Sequence, residues 1–83
     1  MHYVYLLKSE HYPKKQYVGL ARDLKQRLLD HNRGQSPHTA KFYQWVLVAY
    51  FAFSCDKTAI AFEKYLKSGS GRAFAKRHFY HKS

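Results

Sequence analysis

One short stretch of this chain carries side chains suited to phosphate chemistry. From Gln16 to Gly34 it reads QYVGLARDLKQRLLDHNRG, which brings Tyr17, Gly19, Arg27 and His31 close together in sequence. Arg27 and His31 are four residues apart, so on a helix they share one face, a turn from each other. A guanidinium neutralises a phosphate, an imidazole or a phenol moves a proton, and a glycine lets backbone or substrate approach closely. Together these groups read as a phosphate-handling site. Singly, Tyr5 and Tyr17 are ordinary strand aromatics, and Arg27 and His31 ordinary solvated helix residues.

Glu63 is the most informative of the five acids. In the helical pattern of residues 57 to 68, Ala59, Phe62 and Leu66 mark the core side. Glu63 falls inside or at the edge of that arc, one turn from Lys67. An unpaired carboxylate is costly to bury, so Glu63 needs a cation: Lys67, Arg27 or a metal ion. The other acids have plainer places: Asp23 and Asp56 at helix starts, Asp30 on a solvated face, Glu10 in a loop. Five acids are too few for a two-metal centre, so one ion on one carboxylate is the form metal chemistry would take here. His78-x-x-His81 is a weaker metal candidate, lying in the tail without further ligands.

These groups need elements to hold them. Residues 2 to 8 alternate as a strand, with Tyr3, Tyr5 and Leu7 on one face and Val4 and Leu6 on the other. Residues 9 to 15, with Pro13, read as a hairpin loop, and residues 16 to 20 as a second strand whose Tyr17 and Gly19 share a face. An antiparallel hairpin lets Tyr5 and Tyr17 point to the same side. Residues 22 to 33 form a helix, with Asp23 in its first turn and Gly34 as its stop. Leu24 and Leu28 set its core stripe, and Arg27 and His31 lie on the border of that stripe. Residues 35 to 43 are a connection with Pro37 and one short helical turn.

Residues 44 to 53, QWVLVAYFAF, are apolar at both parities: Trp45, Leu47, Phe51 and Phe53 on one, Val46, Val48 and Tyr50 on the other. That pattern predicts a central strand buried on both faces. Ser54 or Asp56 caps a helix over 57 to 68, the run Ser68-Gly69-Ser70-Gly71 breaks it, and a short basic helix follows.

At 83 residues the chain makes one domain with a small core, 1–83, whose eight Tyr, six Phe and one Trp supply large buried areas from few positions. Fifteen Lys and Arg against five acids give a formal charge of +10, which favours a polyanionic partner, nucleic acid first. Lys14, Lys15, Arg22, Lys41, Lys67, Arg72, Lys76 and Arg77 are the candidate backbone contacts, and Tyr43 and Phe79 the candidates for stacking on unpaired bases. A membrane is not the expected partner: no apolar run reaches about 18 residues, and no helix is cleanly basic on one side and apolar on the other. The N-terminal segment turns polar too soon for a signal peptide, and a single cysteine, Cys55, allows no internal disulfide; both fit the cytoplasm.

Tyr3-Val4-Tyr5, then Tyr17-Val18-Gly19, then Arg27 and His31, then Glu63, in this order and spacing, resemble the GIY-YIG nuclease superfamily. The likeness covers nearly the whole chain. It is nearest to small stand-alone bacterial members similar to the UvrC catalytic domain, through Tyr5-Leu6-Leu7-Lys8-Ser9 and Glu63-Lys64-Tyr65-Leu66-Lys67-Ser68-Gly69. Tyr3 stands where the family's name has glycine, and the sole asparagine is Asn32, inside the first helix.

The resemblance implies an α+β fold, a three-stranded antiparallel sheet flanked by helices. It also implies an endonuclease that hydrolyses phosphodiester bonds in DNA with one Mg2+ or Mn2+ ion, in a setting such as repair or recombination. Carried onto this chain, it assigns Glu63 to the metal and Arg27 to the phosphate charge of the transition state. Tyr17 becomes the base or its positioner, Tyr5 its hydrogen-bonding partner, and Gly19 the point of close substrate approach. His31 is a second candidate base, since an unperturbed imidazole titrates near ~6.5 whereas a tyrosine, near ~10, needs a neighbouring cation. Two rivals fit the same charge: a nucleic-acid-binding module that cuts nothing, and a catalytic subunit that acts only with a protein partner.

Overall fold

Strand alternation sorts the core into two halves. A computed structural model describes residues 1–34 and 39–80. In chain order its elements are β1 (His2–Ser9), β2 (Gln16–Ala21), α1 (Leu24–Asn32), a single 3-10 turn (Ala40–Phe42), β3 (Trp45–Phe53), α2 (Asp56–Lys67) and α3 (Gly69–His78). The strands form one antiparallel sheet in the order β2-β1-β3. From β1, Val4 and Leu6 pack with Ala59, Leu66 and Ala75 of α2 and α3. Tyr5 and Leu7 point the other way and pack with Trp45 and with Leu24 and Leu28 of α1. The fold is therefore the expected α+β sheet flanked by helices. No helix among the described residues is long and apolar enough to cross a membrane.

The central strand is β1, not the 44–53 segment that the sequence pattern favoured. Val4 to Leu7 are all buried, whereas β3 is an edge strand with Val46 44% and Tyr50 55% exposed. A β-bulge explains the misleading pattern. Leu6 pairs with Ala49 but Leu7 pairs with Leu47, which leaves Val48 as the extra residue. Trp45 and Leu47 consequently face α1, while Ala49, Phe51 and Phe53 face α2 and α3. The strand is apolar at both parities because it changes faces midway.

The helix ends are set by a few side chains. Asp23 is itself the N-cap of α1 and accepts from the Gln26 amide at 3.0 Å. Gly34 closes that helix with φ +74°, a conformation that favours glycine. Cys55, rather than Ser54 or Asp56, occupies the N-cap of α2, and Asp56 lies in the first turn. Ser68 ends α2 and caps α3 at once, accepting from the Gly71 amide at 3.2 Å, so α3 starts at Gly69, within the run expected only as a break. A Cβ on Gly71 would run into the Tyr65 carbonyl oxygen, so glycine is what lets α3 fold straight back along α2.

Two minor expectations change with this packing. Phe79 lies against Phe51 and Phe74, at 5.5 and 5.7 Å between ring centroids, and is not free to stack on a base, whereas Tyr43 is exposed. His78 packs on Phe74 at 4.7 Å, and its supposed metal partner His81 lies outside the described residues.

Asn32 ties α1 to β3. Its side-chain amide donates to the Trp45 carbonyl at 3.0 Å, and its carbonyl accepts from the Trp45 amide. Asn32→Leu would leave both Trp45 backbone groups without these partners in a half-buried position. A loss of about 2–3 kcal/mol is expected in urea unfolding, with an unchanged m-value.

Candidate active site

The candidate residues meet where β1, β2 and α1 adjoin. The register pairs Tyr5 with Gly19 and Leu7 with Tyr17, which puts the two tyrosines diagonally across neighbouring strands on one face. Their ring centroids are 6.1 Å apart. The Tyr5 ring lies over Gly19: a Cβ there would stand 2.5 Å from the Tyr5 hydroxyl oxygen and 2.8 Å from Cε2 of Tyr17. Space expected to admit substrate is thus filled by the chain's own tyrosines, and Gly19 instead lets Tyr5 cross β2.

The Tyr5 hydroxyl is hydrogen-bonded to Nε2 of His31 at 2.8 Å, and Nδ1 of His31 to the Thr39 hydroxyl at 2.6 Å. Thr39 is fixed in turn by Nε1 of Trp45, which donates to its carbonyl oxygen at 2.8 Å. His31 was expected on a border and is fully buried, because Thr39 and Trp45 close over the end of α1. The ring of Tyr17 meets His31 edge-on at 4.9 Å. Thr39 is the residue that sequence reasoning missed. It sits in a connection with no periodicity, and no signal marked it. Trp45 reads from the sequence only as a core residue.

Arg27 is half-buried on α1, and its guanidinium is held more firmly protonated, first by the Tyr5 hydroxyl and also by that of Tyr17. Burial pushes Tyr5 up to about 12; Arg27 opposes that rise, and the charges of Tyr17 and Glu63 add to it. Burial, and then the Arg27 charge, lower the pKa of His31. The buried site therefore holds a protonated phenol, a neutral imidazole and a guanidinium cation.

These shifts bound stability from both sides. The folded state disfavours protonated His31, so the unfolded chain binds the extra proton, and stability falls as pH drops below the unfolded value of about 6.5. Tyr5 resists ionisation when folded, so stability falls again above about pH 10, where the unfolded phenol ionises. Urea midpoints should form a plateau between these limits, and His31→Gln should flatten the acid limb.

Glu63 lies on α2. Its side chain is 15% exposed and pairs with Lys67, Nζ to Oε2 at 2.6 Å, rather than with Arg27. Its charge is still near enough to add to the rise at Tyr5. No three His, Cys, Asp or Glu side chains gather as a ligand set among the described residues. A single carboxylate nonetheless suits magnesium, which is commonly held by one or two carboxylates, with water and substrate phosphate completing its shell. Glu63 fits that use, since its present partner is a half-exposed lysine on a flexible stem.

A groove of about 480 Å³ runs beside the cluster, lined by Lys14, Lys15, Tyr17, Lys67, Arg72 and Lys76 among others. Lys41 does not line this groove; its ammonium lies 6.0 Å from the centre of the Phe42 ring, which Lys15 approaches to 5.0 Å. Arg22 does not join it: it lines a separate pocket of about 540 Å³ with Tyr3, Leu28 and Tyr50.

Tyrosines, a buried histidine and an arginine beside a basic groove, with one carboxylate on α2, are groups suited to phosphate chemistry. The family model of the GIY-YIG catalytic domain matches residues 1–78. No match was found among curated proteins or among solved structures. A match across nearly all of the 83 residues, on a chain folded as a three-stranded sheet between helices, shows that this protein belongs to the GIY-YIG family of nuclease domains.

Proposed function

We propose that this protein is a divalent-metal-dependent endonuclease that hydrolyses phosphodiester bonds in DNA, with residues 1–83 as one catalytic domain. The observation that carries it is the position of Tyr17, which belongs both to the Tyr5–His31–Arg27 cluster and to the wall of the basic groove. Nucleic acid backbone lying along Lys14, Lys15, Arg72 and Lys76 would bring a phosphate to that tyrosine.

Each group then takes a role suited to its exposure. Tyr17 is half-buried and lines the groove, so it orients the attacking water and, as the phenolate beside the Arg27 cation, receives the water's proton to become the neutral phenol. Tyr5 and His31 have almost no exposed surface; they fix Tyr17 and Arg27 from behind and do not meet the water themselves. His31, engaged at both ring nitrogens, is a positioning residue rather than the base. Arg27 neutralises the charge that grows on the phosphate oxygens. Glu63 would hold the ion, Mg2+ or Mn2+, which when bound polarises the phosphate and stabilises the leaving oxygen. Cys55 is exposed and free, which suits the reducing cytoplasm, and we assign the protein there.

The test is a nuclease assay of the purified chain on labelled single-stranded and duplex DNA, with magnesium, manganese or EDTA. Metal-dependent cutting is expected, reduced at least about 100-fold in Glu63→Ala. Salt-sensitive binding without cutting on any DNA form would instead establish the binding-module or partner-dependent alternative.

A further inference from the structure

Lys67 belongs to two places at once. Its ammonium pairs with Glu63 at 2.6 Å, and its side chain also lines the basic groove with Lys14, Lys15, Arg72 and Lys76. The two partners differ in burial: the Glu63 side chain is 15% exposed and that of Lys67 is 53% exposed. The carboxylate is therefore the more enclosed partner, while the lysine ammonium faces solvent and the groove. The pair is open to solvent on its lysine side, so a divalent cation at the carboxylate or a phosphate at the ammonium can compete for it.

We infer that Lys67 couples substrate to metal: it neutralises Glu63 in the free protein and moves to the substrate backbone when nucleic acid fills the groove, which leaves the carboxylate open to the ion. This rests on the proposed role of Glu63 as metal holder. The physical basis is competition for one charge. A carboxylate that keeps its lysine partner gives a metal ion weaker attraction, and a lysine that keeps its carboxylate gives a phosphate weaker attraction. Each ligand therefore helps the other by removing the same ion pair, and linkage makes that help mutual. Lys67 is then a positioning residue for both ligands. The free protein would hold little metal until substrate arrives.

Two binding measurements test this without reading activity. In the first, Mn2+ is titrated into the DNA-free protein and the free ion is followed by electron paramagnetic resonance. Lys67→Met should tighten Mn2+ about two- to fivefold, Lys67→Arg should not, and Glu63→Gln should abolish the site. In the second, binding of a single-stranded oligonucleotide is measured in EDTA, where no cutting occurs. Glu63→Gln frees Lys67 and should tighten DNA by a similar factor, a gain that should largely vanish in a Lys67→Met background.

If Glu63→Gln abolishes Mn2+ binding but Lys67→Met leaves it unchanged, the coupling is overturned and the metal role of Glu63 stands. If Glu63→Gln leaves Mn2+ binding intact, the metal role fails and the coupling fails with it. A DNA gain that persists in full without Lys67 would show that Glu63 acts on DNA only as a nearby negative charge, which also overturns the coupling.

Discussion

Arg27→Ala is expected to lower DNA cleavage by about 10²–10³-fold at saturating metal, with little change in DNA affinity. The guanidinium is the only cation whose protonation is reinforced by the hydroxyls of both Tyr5 and Tyr17 among the described residues. In the proposed reaction it acts on charge that develops only as the phosphate is attacked, so its loss should appear in kcat rather than in binding. Affinity should persist, because the groove lysines and Arg72 supply the backbone contacts independently. Arg27→Lys keeps the charge but loses the planar fork that can meet two oxygens, so it should recover only part of the rate. Single-turnover cleavage beside equilibrium binding in EDTA separates the two quantities. A variant that binds DNA poorly yet cleaves at the normal rate once saturated would assign Arg27 to the groove and not to the chemistry.

Much of this arrangement was legible in the sequence because it follows from short-range periodicity. Alternation in β1 placed Tyr5 and Leu7 opposite Val4 and Leu6, and four-residue spacing in α1 and α2 placed Arg27 beside His31 and Glu63 beside Lys67. What the sequence hid depends on contacts distant along the chain. The bulge at Val48 reverses which β3 residues meet which helices, and nothing local announces it. The same strand read as central because its composition is apolar, although composition says which faces are covered and not which strand lies between two others. His31 looked like a border residue because the wheel of α1 knows nothing of Thr39 and Trp45, which close over it from other elements. Sequence alone gives Gly19 the task of admitting substrate; only the pairing of β1 with β2 reveals the Tyr5 hydroxyl as the group that occupies the room.

That last point yields the sharpest test of how the site is built. Gly19→Ala should cost about 1–3 kcal/mol of stability by overpacking and lower cleavage by about 100-fold. Its Cβ would lie 2.5 Å from the Tyr5 hydroxyl oxygen and 2.6 Å from Cζ of the same ring, so the ring must move. Tyr5 has little freedom to do so: it is 1% exposed, sits on the central strand, and is tied to His31 at 2.8 Å. Displacing it breaks the His31 hydrogen bond and shifts the hydroxyl away from Arg27. The activity loss should therefore be the same event as losing the Tyr5 hydroxyl outright. Tyr5→Phe alone should slow cleavage, and Gly19→Ala added to Tyr5→Phe should slow it little further, a clear failure of additivity. Independent, fully additive losses would mean that Gly19 serves the substrate and not Tyr5. An unaffected Gly19→Ala enzyme would mean that the Tyr5 position is not required for the reaction, and the roles given to the Tyr5–His31 pair would have to be abandoned.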